Sequence, residues 1–257
     1  MNTPPKKTSM PLRERIEQQG YWLFRWRSYL PLLLLPLFAF ALRSYGQLEH
    51  AFGWLAGMGW ELGCIALSFV GLLLRALTVG FVPAGTSGRN TSKQRADALN
   101  TTGIYSLVRH PLYLANFIGV LGVLLFTESL WLTLTVTLIY WVYYERIMLA
   151  EEAFLREKYG EPYLRWAAAT PALVPHFGNY QPAAMPFSFR TVLQREYPSF
   201  FATVAAFTLI EWVGDWLGRH VFDHNPGWTA FFLAGFVIWL ALRTLKKRRC
   251  LDVLGRQ

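Results

Sequence analysis

The chain has 257 residues, of which 53% are hydrophobic, 16% aromatic and only 16% charged, with a mean hydropathy of +0.25. A soluble domain carries about a quarter charged residues, so this chain lacks the polar material to cover a globule, and the same figures exclude disordered, collagen-like and disulfide-scaffold classes. Its 25 Lys plus Arg outnumber 16 Asp plus Glu, and the resulting +9 fits either a nucleic-acid footprint or the flanks of membrane helices.

Position decides between these two. In chain order, six stretches are apolar enough to be read as spans: 29–42, 54–79, 111–126, 130–149, 198–217 and 227–242. The first is short unless it extends back through Tyr21–Trp26; the second is interrupted by Glu61 and Arg75. The third and fourth form a tight hairpin joined by Thr127-Glu128-Ser129. With the N-terminus in the cytoplasm, 23 of the 25 basic residues fall inside, leaving only Arg43 and Arg219 outside. Trp54, Trp131, Trp216 and Trp228 cluster where the outer interface should lie. The expected fold class is therefore all-α, a polytopic membrane protein with about six transmembrane helices and both termini cytoplasmic. The partner is the membrane, and nucleic acid is excluded. This size and topology, with no sorting signal, suit a bacterial inner membrane; the sequence sets no oligomeric state.

Several other features are expected to be structural. Met1–Gly20 is polar and does not read as a signal peptide, while Pro11–Gln19 suits a short surface helix. Cys64 and Cys250 are too few and too separated for a disulfide framework or a metal knuckle, so no metal site is expected. The segment Pro83–Gly88 reads as a turn. The run Lys246-Lys247-Arg248-Arg249 reads as a topology anchor or as an attractor of anionic headgroups. Glu61 and Glu211, inside spans but within two turns of the outer end, should snorkel or pair with Arg43 or Arg219.

The hairpin is where chemistry can sit. Pro111, a preferred first helical residue, follows Arg109-His110 directly. Since the hairpin climbs and descends, its two cytoplasmic ends lie side by side. Arg109, His110 and Tyr113 thus approach Glu145, Glu151 and Glu152, some forty residues later in the chain. A helix N-terminus with an arginine favours an anion, while carboxylates favour a cation or a diol. S-adenosylmethionine has both characters.

Leu99-Asn100-Thr101-Thr102-Gly103-Ile104-Tyr105, followed by Arg109-His110-Pro111-Leu112-Tyr113, resembles the T-x-G-x-Y…R-H-P-x-Y segment of membrane methyltransferases. Glu151-Glu152-Ala153-Phe154-Leu155 with Lys158-Tyr159-Gly160 and Tyr163 is similar to their E-E-x-x-L-x-x-x-[FY]-G-x-x-Y signature, and Pro171–Pro175 to their closing proline segment. The family is that of the isoprenylcysteine carboxyl methyltransferases and phospholipid methyltransferases, and the resemblance covers about residues 95–176. It implies an S-adenosylmethionine-dependent methyltransferase with the cofactor between the hairpin legs and a lipid or lipid-linked acceptor entering from the bilayer. By carry-over, His110, Pro111 and Tyr113 line the cofactor site from one side, Glu151 and Glu152 approach from the other, and Gly103 and Tyr105 shape the preceding turn. One departure is Ala115, where members often have glycine, which bears on the pocket outline. The last two spans lie outside the motifs and inherit nothing from them.

The expected organisation is a cytoplasmic segment 1–28, two membrane spans over 29–79, a methyltransferase-like core over 80–176, and a linker, two further spans and a basic tail over 177–257. Methyl transfer is an in-line displacement at a sulfonium, so positioning and a dry site matter most. Tyr105, Tyr113, Tyr140 and Tyr144 are candidates for cation–π contact with that sulfonium. Arg109, His110 and Glu145 are the candidate catalytic residues, and either His110 or Glu145 could act as general base where the acceptor must lose a proton. The polar loop 85–100 either orders over the cofactor or is a solvated linker. A membrane reductase using NADPH is the competing enzyme class, because sterol reductases share an H-P-x-Y and a K-Y-G-like segment. They usually place D-E-x-x-C before K-Y-G, whereas here Glu151-Glu152 leads and no cysteine follows. A non-enzymatic membrane protein is the remaining class; a transporter would show broken mid-membrane helices or a repeat.

Overall fold

A computed structural model describes residues 11–83, 86, 96–220, 225–253 and 255–256. Ser87, Arg89, Asn90, Lys93 and Arg95 of the polar loop lie outside them. The chain starts with α1 (Leu12–Trp26), continues as an apolar stretch containing α2 (Leu35–Ala41) between two 3-10 turns, and then forms α3 (Gln47–Phe52) and α4 (Trp54–Gly80). A single turn, α5 (Ile104–Leu107), precedes the hairpin of α6 (Pro111–Phe126) and α7 (Leu130–Tyr159). Next come α8 (Glu161–Ala169), α9 (Phe189–Gly214), which runs into a π-helical turn over Asp215–Arg219, and α10 (Pro226–Lys247). Among the described residues the one β-type pairing is an isolated bridge between Gly103 and Gln181.

The chain is an all-α polytopic membrane protein. Among the described residues, Leu30–Phe52, Trp54–Gly80, Phe189–Arg219 and Pro226–Lys247 are long and apolar enough to cross a bilayer, and Pro111–Phe126 is a shorter apolar helix. Two expected spans take a different form. The first runs on to Phe52 and is broken, because Pro31 and Pro36 each start a new helical segment and Gly46 turns the chain at φ 86°. The fourth is less apolar than expected, since Tyr140, Tyr143, Tyr144 and Glu145 interrupt it. Its helix α7 instead continues unbroken through Glu151 and Glu152, and at 30 residues it is about 45 Å long, well beyond a hydrocarbon layer of about 30 Å. The short N-terminal surface helix extends to Trp26 and lies along α7: a side chain at Gly20 would collide with the Arg146 carbonyl, and Tyr143 donates to Leu23 O at 3.0 Å.

The α4–α6 contact sets the hairpin in place. Lipid offers no hydrophobic drive between helices, so close backbone approach and polar contacts hold them. A Cβ on Gly71 would stand 2.6 Å from Gly119 N and 2.7 Å from Ala115 O, and one on Gly122 would stand 2.5 Å from Cys64 O. Ser68 Oγ donates to Gly119 O at 2.7 Å across the same seam. Ala115, 1% exposed, is part of this seam.

At the far end of the bundle, several ionisable residues are paired. Tyr45 donates to the buried Glu211 at 2.5 Å, and Arg219 reaches Glu49 at 2.7 Å and Asp215 at 3.4 Å. Glu211 thus takes Tyr45 as its hydrogen-bond partner rather than snorkelling, because the bend at Gly46 returns Tyr45 against Gly214.

At the opposite, motif-bearing end, the last carbonyl of α4 is closed twice. Gly80 O accepts from Ser188 N at 2.9 Å and from the buried Arg256 at 2.6 Å. Leucine at Gly71 or Gly122 should push α4 and α6 apart, costing on the order of 2 kcal/mol or more and lowering the melting temperature in detergent. Alanine at the exposed Gly59, with nothing within 4 Å of its Cβ, should leave melting unchanged.

Candidate functional site

The approach to α6 is built from backbone pairing. Gly103 adopts φ 62°, a left-handed conformation that favours glycine, and its N–H donates to Gln181 O at 2.9 Å. Ser106 Oγ ties the turn by donating to Gly103 O at 2.7 Å, and Trp166 Nε1 donates to Tyr105 O at 3.0 Å. The proline segment docks beside it: Arg109 N donates to Pro171 O at 2.9 Å and His110 N to Ala172 O at 3.2 Å. Pro111 then starts α6 with no N–H to leave unpaired, so Arg109 and His110 are fixed at the mouth of the helix.

The end of α7 meets them. His110 Nε2 lies 3.0 Å from Glu152 Oε1 and Nδ1 lies 3.8 Å from Glu151 Oε2. Arg109 Nε stands 3.1 Å from the same Glu152 oxygen, an ion pair rather than an aligned hydrogen bond, and its Nη1 donates to Ala167 O at 2.7 Å. Tyr113 donates to Glu151 at 3.0 Å and Tyr140 to the Tyr113 carbonyl at 2.7 Å. Burial pushes the Glu152 carboxyl up, but His110, Arg109 and Tyr163 together outweigh it and hold the group below its ordinary range. The K-Y-G segment has a separate task. Lys158 and Tyr159 both donate to Ala96 O at 2.6 Å, pinning the polar loop, and Gly160 at φ 57° ends α7 so that α8 can begin.

These elements enclose a cavity of about 760 Å³. Of the residues expected at the site, Tyr105, Arg109, His110, Pro111, Tyr113, Glu151 and Glu152 line it. Gly103 lies behind it, shaping the turn. Glu145 is not brought in: it is exposed and off the cavity wall, one residue and about 100° round α7 from Tyr144, the side chain that does face inward at that height. The Tyr144 ring lies tilted 5.0 Å from Tyr113, centroid to centroid, with Tyr140 4.2 Å from Tyr144. Thr86 and Asn100 of the polar loop reach the lining, whereas Ala115 does not.

The wall also contains residues that sequence reasoning left out. Arg75 of α4 makes a two-pronged pair with Glu196 of α9, at 2.7 and 2.9 Å, and also donates to Asn116 of α6. Arg195 and Ser199 of α9, Lys246 of α10, and Phe24 and Arg27 from the end of α1 complete it. A signal existed for Arg75, a charge inside an apolar span, which is costly in lipid unless it has a partner or a task. Nothing in the linear spacing pointed to the rest.

Comparison with known proteins agrees with the two motifs. The phospholipid methyltransferase family model matches residues 62–162. The chain is 32% identical over 146 residues to the cobalt-zinc-cadmium resistance protein CzcN of Cupriavidus metallidurans, covering 56% of this chain and 62% of that one. It is 34% identical over 112 residues to the nickel-cobalt-cadmium resistance protein NccN of Alcaligenes xylosoxydans xylosoxydans, covering 41% and 52%. It is 33% identical over 113 residues to the protein-S-isoprenylcysteine O-methyltransferase of Schizosaccharomyces pombe, covering 43% and 48%. The matched stretches span about half to three-fifths of these relatives. No solved structure matches the chain. The structure is that of a polytopic membrane protein whose central segment matches the phospholipid methyltransferase family model. That segment, residues 62–162, runs from α4 through the hairpin into α8.

Because the folded protein holds Glu152 below its ordinary range, the ion-pair cluster stabilises fully above the unfolded value of 4.5 and loses that stabilisation as pH falls through the lowered value. Glu152→Gln should therefore melt earlier than the parent at neutral pH, by about 3 kcal/mol of stability, with the gap closing in acid. Thermal melting in detergent across an acidic-to-neutral series reads both.

Proposed function

We propose that this protein is an integral-membrane methyltransferase that moves a methyl group from S-adenosylmethionine to a lipid or lipid-linked acceptor. One observation carries the reading: the Glu151-Glu152 end of α7 is joined to the Arg109-His110-Pro111-x-Tyr113 start of α6 at the wall of a cavity of about 760 Å³. That volume is within the range of small-molecule sites. The matched family model and the isoprenylcysteine methyltransferase relative support the class.

The donor set suits the cofactor. Glu151, with a third of its side chain exposed, offers carboxylate oxygens to an ammonium or a ribose diol. Tyr113 and Tyr144, tilted against each other in the cavity wall, offer aromatic rings to a sulfonium. When bound, the cofactor supplies an electrophilic methyl group on a cationic sulfur. Arg109 and His110 act by holding Glu152 in place, so that Glu151, one residue earlier, is presented at a fixed position and angle. Tyr105 and Tyr163 close the sides, and the pinned loop at Ala96 limits water. Glu145 has no part in this arrangement.

The proposed setting is a bacterial inner membrane with the cavity facing the cytoplasm, as the one-sided distribution of basic residues favours. Residues 80–176 are the proposed core, with α4 and α9 added to its wall by the fold.

His110→Ala and Glu151→Ala should each lower affinity for S-adenosylmethionine about tenfold or more while melting as folded protein. Equilibrium binding on purified protein measures this, and parental affinity in both variants rejects the site. Membranes incubated with methyl-labelled cofactor should carry label in the organic extract; label confined to water-soluble small molecules rejects a lipid acceptor.

A further inference from the structure

One apolar stretch of the chain lies outside every span. From Trp166 to Ser188 there is no Lys, Arg, Asp or Glu, and helical structure is confined to the end of α8 and a 3-10 turn over Phe177–Asn179. Val174 and Phe177 are each 78% exposed and Tyr180 is 61% exposed. Only Trp166 of this stretch lines the cavity. Large apolar side chains on the outside of an uncharged connection mark a surface made for a partner.

The stretch is stitched to the protein along its length. Besides the bonds from Arg109 and His110 to Pro171 and Ala172, His176 N donates to Leu107 O at 3.0 Å and Gln181 N to Ser106 Oγ at 2.9 Å, while Gln181 O accepts from Gly103 N. Asn179 Nδ2 reaches Ala169 O at 2.6 Å, Ala184 N reaches Thr102 Oγ1 at 3.2 Å, and Ser188 N ends the run on Gly80 O. Non-helical backbone is tolerated near hydrocarbon only where its polar groups are paired within the protein. Here they are paired at intervals from the mouth of α6 to the end of α4.

Its depth follows from α7. The exposed Trp131 beside the hairpin turn sets one interface, and Glu151 lies twenty residues further along the same helix, about 30 Å away. A hydrocarbon layer is about 30 Å thick, so its other boundary falls at the cluster of Glu151, Glu152 and His110. The stretch departs from that cluster at Pro171 and Ala172 and runs into Phe189, the first residue of a span. Both of its ends are thus held where acyl chains meet headgroups.

We propose that residues 171–188 form an interfacial strap whose partner is the lipid surface at the motif-bearing end, with Val174, Phe177 and Tyr180 inserted among headgroups and upper acyl chains. Uncharged aromatic side chains suit that zone, where a ring such as that of Tyr180 keeps its polar edge wet and its body out of water. The strap shares backbone hydrogen bonds with Gly103, Arg109 and His110, so lipid packed against it steadies the entry to α6. Its lipid contact requires no methyl transfer and stands apart from the cavity.

The test uses the full-length chain with Cys250→Ser, in which the remaining Cys64 is buried, reconstituted into vesicles of phosphatidylethanolamine and phosphatidylglycerol. Spin labels on Val174→Cys, Phe177→Cys and Tyr180→Cys should be more accessible to oxygen, which concentrates in lipid, than to a water-soluble nickel complex. A label on Glu157→Cys, exposed near the end of α7 and about 9 Å past the boundary, should show the reverse. Adding Phe177→Asp should lower the oxygen-to-nickel ratio at position 174 severalfold. Nickel preference at 174 and 177, or a ratio at 174 indifferent to Phe177→Asp, overturns the proposal. Spectral broadening between labels at 177 that disappears on mixing with unlabelled protein also overturns it, because a second copy then covers the surface.

Discussion

Glu152 is the carboxylate on which the site's geometry hangs. It lies two turns before the end of α7, and it holds both Arg109 and His110 at the entry to α6. An uncompensated charge at this depth would be costly, so each of the three groups keeps the others in place. Glu151 is then placed both by that adjacency and by the Tyr113 hydroxyl, which donates to it at 3.0 Å. The hairpin turn closes the far end of these two helices, and this cluster closes the near end, so the intervening aromatic wall of Tyr113, Tyr140 and Tyr144 has little freedom to open.

The small-residue seam between α4 and α6 complements that clasp. Gly71 and Gly122 allow backbone contact that no larger side chain would permit, and this brings Arg75 of α4 beside Asn116 of α6. From there Glu196 extends the network to α9. Charge inside the bundle is therefore supported in series, from α4 to α6 and α9, instead of being held at the surface by water.

Much of this was legible in the sequence, and the limits have physical causes. The spacing of hydrophobic runs and the side bias of Lys and Arg gave the membrane class, because both reflect solvent rather than packing. The hairpin brought Arg109-His110 to Glu151-Glu152 by simple antiparallel arithmetic. Glu145 failed because axial height alone was considered; its angle round α7 turns it away from the cavity. The place of Arg195, Glu196 and Lys246 in the wall was not legible, because α9 and α10 carry no recognisable motif and which helix fills the remaining wall depends on packing between segments more than a hundred residues apart. The first span lengthens forward to Phe52 and not back through Tyr21–Trp26, because Pro31, Pro36 and Gly46 break it into short segments that continue in the same apolar stretch.

Gly80 O, at the end of α4, accepts from Ser188 and Arg256, which are made long after it. The order of synthesis thus runs opposite to the order of closure. The final carbonyl of α4 gains these two donors only once chain 108 and 176 residues further on has been made, so the wall that α4 contributes is completed late.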